Sequence, residues 1–161
     1  MEAAIIDLIG LENLTNQVAG YHSGSFGRIN SQDLILMLTA KPVRVVHKAI
    51  LITINKLYLS NMPALELYGV TRGIWRVNKS RAEKVEYALA VYQGIVREVY
   101  RVEKWHPAGI LPYQTREKFS EKEKIGRWEF SGQVAEPAIR EKYVGFSVGK
   151  SGQNPIRYMN V

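Results

Sequence analysis

Cysteine is absent from this chain of 161 residues, which removes disulfides, thiolate metal sites and a cysteine nucleophile. Aspartate is nearly as scarce. Beyond Asp33 every acid is a glutamate, and the three histidines, His22, His47 and His106, stand far apart in no ligand-pair spacing. A Mg²⁺-dependent nuclease needs clustered acids for its metal, and the Glu-x-Lys pair of restriction-type nucleases does not occur. No metal and no cofactor is therefore expected. Long apolar runs are missing too. A run such as Leu34 to Leu38 falls far short of the ~18 residues of a membrane helix. The opening Met-Glu-Ala-Ala-Ile-Ile-Asp lacks the basic start and apolar stretch of a signal peptide. The expected setting is cytoplasmic, with no membrane partner.

What is present is an ordinary globular composition, 46% apolar and 23% charged, of a length that suits one domain. The formal charge is +7, and it is unevenly placed. Residues 1–40 hold the acids Glu2, Asp7, Glu12 and Asp33 against the single base Arg28, so the whole positive excess lies in residues 41–161. This divides the single domain into an acidic helical cap, 1–40, and a basic β-rich body, 41–161. A basic body points to an anionic partner, most often nucleic acid.

Apolar spacing predicts a helix over residues 3–18, then a Gly/Ser loop from Gly20 to Gly27 whose sequence lacks the Gly-Lys-Ser/Thr ending of a phosphate loop. A second helix begins at Ser31 and stops before Pro42. Val43 to Leu57 reads as strand, with Ala49 to Ile54 at its centre. Asn61-Met62-Pro63 marks a turn. Val70 to Val77 reads as another strand, with Gly73 at a bulge or close approach. Ser80 to Lys84 is a helical turn. Tyr87 to Trp105 reads as β structure broken at Gln93-Gly94. Residues 107–126 are a polar loop ending in a Glu-Lys run, Arg127 to Val134 is a strand, and Pro137 to Tyr143 is a helix with proline in its first turn. A loop over 149–155 precedes a closing strand, 156–161. The fold class is α+β: a small twisted mixed sheet, or a partly closed β-barrel, with the N-terminal helical cap.

Two motifs match in letters only. Gly145-Phe146-Ser147-Val148-Gly149 has the form Gly-x-Ser-x-Gly, but a loop follows it where a nucleophile elbow needs a helix. Gly94-Ile95-Val96 and Tyr143-Val144-Gly145 are too far apart for the paired triplets of GIY-YIG nucleases. The more informative pattern interleaves bases with aromatics. Trp75 lies between Arg72 and Arg76, Trp105 and His106 follow Arg97 and Arg101, and Trp128 follows Arg127. Flat rings stack on bases while guanidinium groups meet phosphates. Lys56, Lys150 and Arg157 add charge, and Asn154 adds an amide able to read a base edge. These twelve residues — Lys56, Arg72, Trp75, Arg97, Arg101, Trp105, His106, Arg127, Trp128, Lys150, Asn154 and Arg157 — are the candidate nucleic-acid contacts. A tryptophan beside an arginine on a strand also has a plainer reading, with the ring inside and the charge outside.

The order of features is a strong strand, the Thr-Arg-Gly-x-Trp segment of Thr71 to Trp75, a Val/Tyr-rich pair of strands and a basic end. Over residues 43–161 this order resembles the PUA-like class of EVE, ASCH and YTH domains. The resemblance implies a compact β-barrel with peripheral helices that binds RNA or modified DNA in an aromatic cleft. The Gly-x-Lys-x-x-Glu signature of ASCH domains is absent, so no family site residue is carried over. The leading expectation is a non-catalytic binder of RNA or of single-stranded or modified DNA. One alternative is a metal-independent nuclease or other small enzyme using His106, Glu98, tyrosines and arginines. Another is an interaction module, in which residues 1–40 dock on a second basic body, as in a homodimer.

Overall fold

The computed structural model describes residues 31–161; the helix expected over 3–18 and the Gly/Ser loop at 20–27 lie outside that range. The chain divides into two units between Ala40 and Lys41. In the first, helix α1 runs from Ser31 to Thr39. It closes with the Thr39 hydroxyl donating to the Ile35 carbonyl at 2.7 Å.

The second unit is built on one five-stranded sheet in the order β4-β3-β2-β1-β5. Its strands are β1 (Ala49–Thr53), β2 (Tyr87–Tyr92), β3 (Ile95–Pro107), β4 (Trp128–Val134) and β5 (Ile156–Met159). β1 and β2 are parallel, and every other pair is antiparallel. The fold is thus α+β with an open mixed sheet, the first of the two forms expected from the sequence. Among the described residues β4 and β5 are its edges. β2 is buried from end to end and β1 from Ala49 to Ile52, which is why Ala-Ile-Leu-Ile and Ala-Leu-Ala-Val read as continuous apolar runs rather than alternating ones. Gln93 (φ 51°) and Gly94 (φ 80°) join β2 to β3 in the two-residue turn whose twist matches a hairpin.

Both faces of the sheet are covered. Helices α2 (Ala64–Arg72) and α3 (Lys79–Ala82) pack Val70, Tyr68 and Ala82 against Ile50, Ile52, Tyr100, Trp105 and Phe130. Helix α5 (Pro137–Tyr143) packs Tyr143 and Ile139 against Leu51, Leu89, Val91 and Val99 on the other face. Each large buried side chain contributes roughly 1.5–3 kcal/mol, so these two cores outweigh any single surface ion pair, worth about 0–1 kcal/mol. A one-turn helix, α4 (Glu121–Lys124), interrupts the connection from β3 to β4. Ser120 caps it reciprocally with Glu123.

Two expectations are corrected. Val43 to Leu57 is not all strand: only Ala49–Thr53 pairs in the sheet. Val70 to Val77 is not a strand either. Val70 and Thr71 are the buried end of α2, because packing against the sheet overrides the β preference of a Val-Thr pair. After the helix, Trp75 alone makes a bridge, pairing with Trp128. Gly73 is a close approach, as expected. A Cβ there would stand 2.7 Å from the Glu129 Cβ and closer still to the Tyr113 hydroxyl.

Candidate functional site

The sheet's composition brings four remote segments together at the end of β1. They are residues 53–57, Trp75, Arg127 just before β4, and the loop 151–155 that leads into β5. They enclose a cleft of about 470 Å³, within the range of ~300–1,000 Å³ typical of ligand pockets.

Each wall is fixed by identifiable bonds. The Thr53 amide donates to the Pro155 carbonyl at 2.8 Å, and the Thr53 and Ser151 hydroxyls lie 3.1 Å apart. The Asn55 side chain accepts from the Gln93 amide at 2.9 Å, tying the residues after β1 to the β2–β3 turn. Trp75 exchanges two backbone bonds with Trp128, at 2.9 and 2.8 Å. Its indole N–H donates to the Thr71 carbonyl at 2.7 Å, which leaves the ring as an apolar wall. The loop is held from behind by Arg157, which donates to the carbonyls of Val148 (3.1 Å) and Gly149 (2.8 Å). Asn154 caps the start of β5 by accepting from the Ile156 amide at 3.0 Å.

A smaller recess of about 170 Å³ adjoins the cleft. Leu57, Trp75 and Arg127 line both spaces. Its other walls include Gly73, Arg116, Phe119 and Glu123. Arg116 lies against a pair of touching rings, 5.6 Å from the centre of Tyr113 and 4.6 Å from that of Phe119. One of its nitrogens donates to the carbonyls of Gly69 and Gly73. Burial holds its pKa below the usual guanidinium value, as expected where water is excluded from a cation. Arg127 donates to the Ile74 carbonyl at 3.4 Å.

Behind the recess lies Glu129, fully buried on β4. It accepts from the Leu111 amide at 2.7 Å and from the Tyr113 hydroxyl at 2.8 Å. Burial, then the hydrogen bond to Glu129, raises the Tyr113 pKa, so the phenol stays protonated and the bond holds. Arg72 lies 3.9 Å from the centre of the Tyr113 ring and donates to the Pro112 carbonyl. Together these bonds fasten residues 108–120 over the end of α2.

Of the twelve residues singled out in the sequence, Lys56, Trp75 and Arg127 line the cleft. Asn154 and Arg157 hold its loop, and Lys150 is exposed at the start of that loop. Arg72 anchors the neighbouring arm. Trp128 supports Trp75 through the backbone and carries Lys79 over its ring at 5.4 Å. The remaining four lie elsewhere. Trp105 belongs to the core, 8% exposed and packed on Phe130. Arg97 stacks near Tyr58 and Tyr92. Arg101 pairs with Glu136. His106 meets the Ser131 hydroxyl at 3.0 Å. His106 and Glu98, the acid–base pair of the enzymatic alternative, stand eight residues apart on β3, roughly 26 Å at ~3.3 Å per residue. Glu98 is also engaged by both ends of the Arg140 guanidinium, at 2.7 and 2.9 Å.

Sequence reasoning missed Arg116 and Phe119, because they sit in a stretch read as polar loop. The signal was there in the interleaving of Tyr113, Arg116 and Phe119. Among the described residues no group of histidines and acids is placed to hold a metal, and no helix is long and apolar enough to cross a membrane. No protein family, curated protein or solved structure matches the chain.

Proposed function

We propose that the chain binds nucleic acid, taking a base of a single strand, or one swung out of a duplex, into the cleft beside Trp75. One observation carries the reading. Lys56, Trp75 and Arg127 meet in a cleft whose lining also offers Asn55, Ser151 and Gln153 and contains no acid. The ring supplies a stacking surface, the two cations face the backbone, and the amides and hydroxyl can meet a base edge. The resemblance to PUA-like domains implies the same ligand class. The proposed setting is the cytoplasm.

The test is fluorescence anisotropy with labelled RNA and single-stranded DNA oligonucleotides over a range of salt. Binding is expected to weaken steeply as salt rises. Trp75→Ala, which removes a stacking surface worth ~1–3 kcal/mol, is expected to weaken it about tenfold or more. No binding, or binding indifferent to both salt and Trp75, sinks the reading.

A further inference from the structure

The recess beside the cleft differs from it in size and chemistry. At about 170 Å³ against about 470 Å³ for the cleft it is the smaller space, on the scale of a phosphate group. Two guanidinium groups, Arg116 and Arg127, face it. Neither forms an ion pair among the described residues. Arg116 is oriented by the Tyr113 and Phe119 rings, and only one of its nitrogens is engaged, on the Gly69 and Gly73 carbonyls. A guanidinium has five N–H donors, so the rest of its fork remains for a ligand. The single acid in the wall, Glu123, accepts from the Ser120 amide at 2.7 Å; it attracts Arg127 and Arg116 but bonds to neither, so a phosphate there would compete with it. Arg127, Trp75 and Leu57 are common to both spaces, so a base in the cleft and a phosphate in the recess are neighbours.

Resting on the reading of the cleft as a base site, we infer that the recess is a phosphate subsite for the backbone next to the bound base. A ligand with at least one phosphodiester beside the base therefore binds better than the base alone. Arg116 and Arg127 hold the phosphate oxygens in fork geometry. Trp75 is the partition between the two subsites.

The test uses the full chain with tetrauridylate and tetrathymidylate, each made with phosphodiester and with uncharged methylphosphonate linkages. Wild-type protein is expected to bind the phosphodiester form about tenfold more tightly at low salt. Arg116→Gln removes most of that preference and lowers the slope of log affinity against log salt by about 0.7, the single-strand value for one phosphate. Because Arg116 also braces its arm, Glu123→Gln provides an independent check. Removing the acid from the wall should strengthen binding of the phosphodiester form relative to the methylphosphonate form, a change that a bracing role alone would not produce. Binding that depends on Trp75 but ignores linkage charge, Arg116 and Glu123 overturns the phosphate subsite and leaves the base site standing. No binding of any tetramer overturns both.

Discussion

The arginines around the cleft and those beside α5 are bonded to different things. Beside α5, Arg140 grips Glu98 with two nitrogens and Arg101 pairs with Glu136. Their charge is cancelled locally, and the hydrogen bond to Glu98 raises the Arg140 pKa. Around the cleft, Arg72, Arg116, Arg127 and Arg157 donate to backbone carbonyls, and Arg72 and Arg116 also lie against rings. Burial lowers the pKa of Arg116 and Arg157, and Glu123, the acid that shares the recess with Arg116 and Arg127, attracts both without forming an ion pair with either. The two groups of arginines therefore differ in what holds them: carboxylates beside α5, backbone carbonyls around the cleft. A count of Lys and Arg cannot reveal that, because it weighs both groups alike.

Four changes test this contrast, beginning with the largest. Glu129→Ala leaves the Leu111 amide and the Tyr113 hydroxyl without their acceptor. The expected loss is about 3 kcal/mol, read as a lower midpoint in urea unfolding; a loss near zero means the arm is held by its rings and carbonyl bonds alone. Arg127→Gln should weaken oligonucleotide binding several-fold and lower the salt slope by about 0.7, while Arg101→Gln leaves both unchanged. Equal effects of the two would erase the distinction between the groups. A double-mutant cycle on Arg140 and Glu98 should give a coupling of up to about 1 kcal/mol, since the pair is partly exposed. Its effect belongs to stability, with binding untouched.

The smallest effect concerns pH. The Ser120 amide hydrogen bond holds the Glu123 carboxyl below its ordinary value of 4.5. A carboxyl lowered by folding stabilises fully above its unfolded value, and that contribution is lost as pH falls through the folded one. The Ser120 amide proton, followed by NMR, should titrate with a midpoint below 4.5. A midpoint at or above that value would show that the capping box is not formed in solution.

The parts of the fold legible in the sequence are those where local chemistry and packing agree. Gln93-Gly94 marks the hairpin because a turn with two positive φ angles favours such a pair. Pro137 opens α5 because its missing N–H costs nothing in a first turn. Helix α2 was hidden because Val70 and Thr71 look like strand residues, although Pro63 followed by Ala64, Leu65 and Glu66 is a reasonable helix start. Of the residues singled out in the sequence, Lys56, Trp75 and Arg127 meet in one cleft and Trp105, Arg97, Arg101 and His106 do not join them. Trp75 and Trp105 have similar neighbours in sequence, yet one lines a cleft and the other fills the core. That difference is set by the sheet's third dimension, since Trp105 sits within β3 facing α2 and Trp75 sits on a bridge at the rim.

The bond between Thr53 and Pro155 spans about a hundred residues and closes the cleft by docking the loop before β5. Contacts of such long range cost loop-closure entropy before they contribute anything. The hairpin and the two helical layers can therefore form while the cleft does not yet exist. The cleft then belongs to the finished β5–β1 pairing and not to any precursor. Any molecule held in the cleft would act as a latch on the most distant pairing in the sheet, and binding there would report that the last strand is in place.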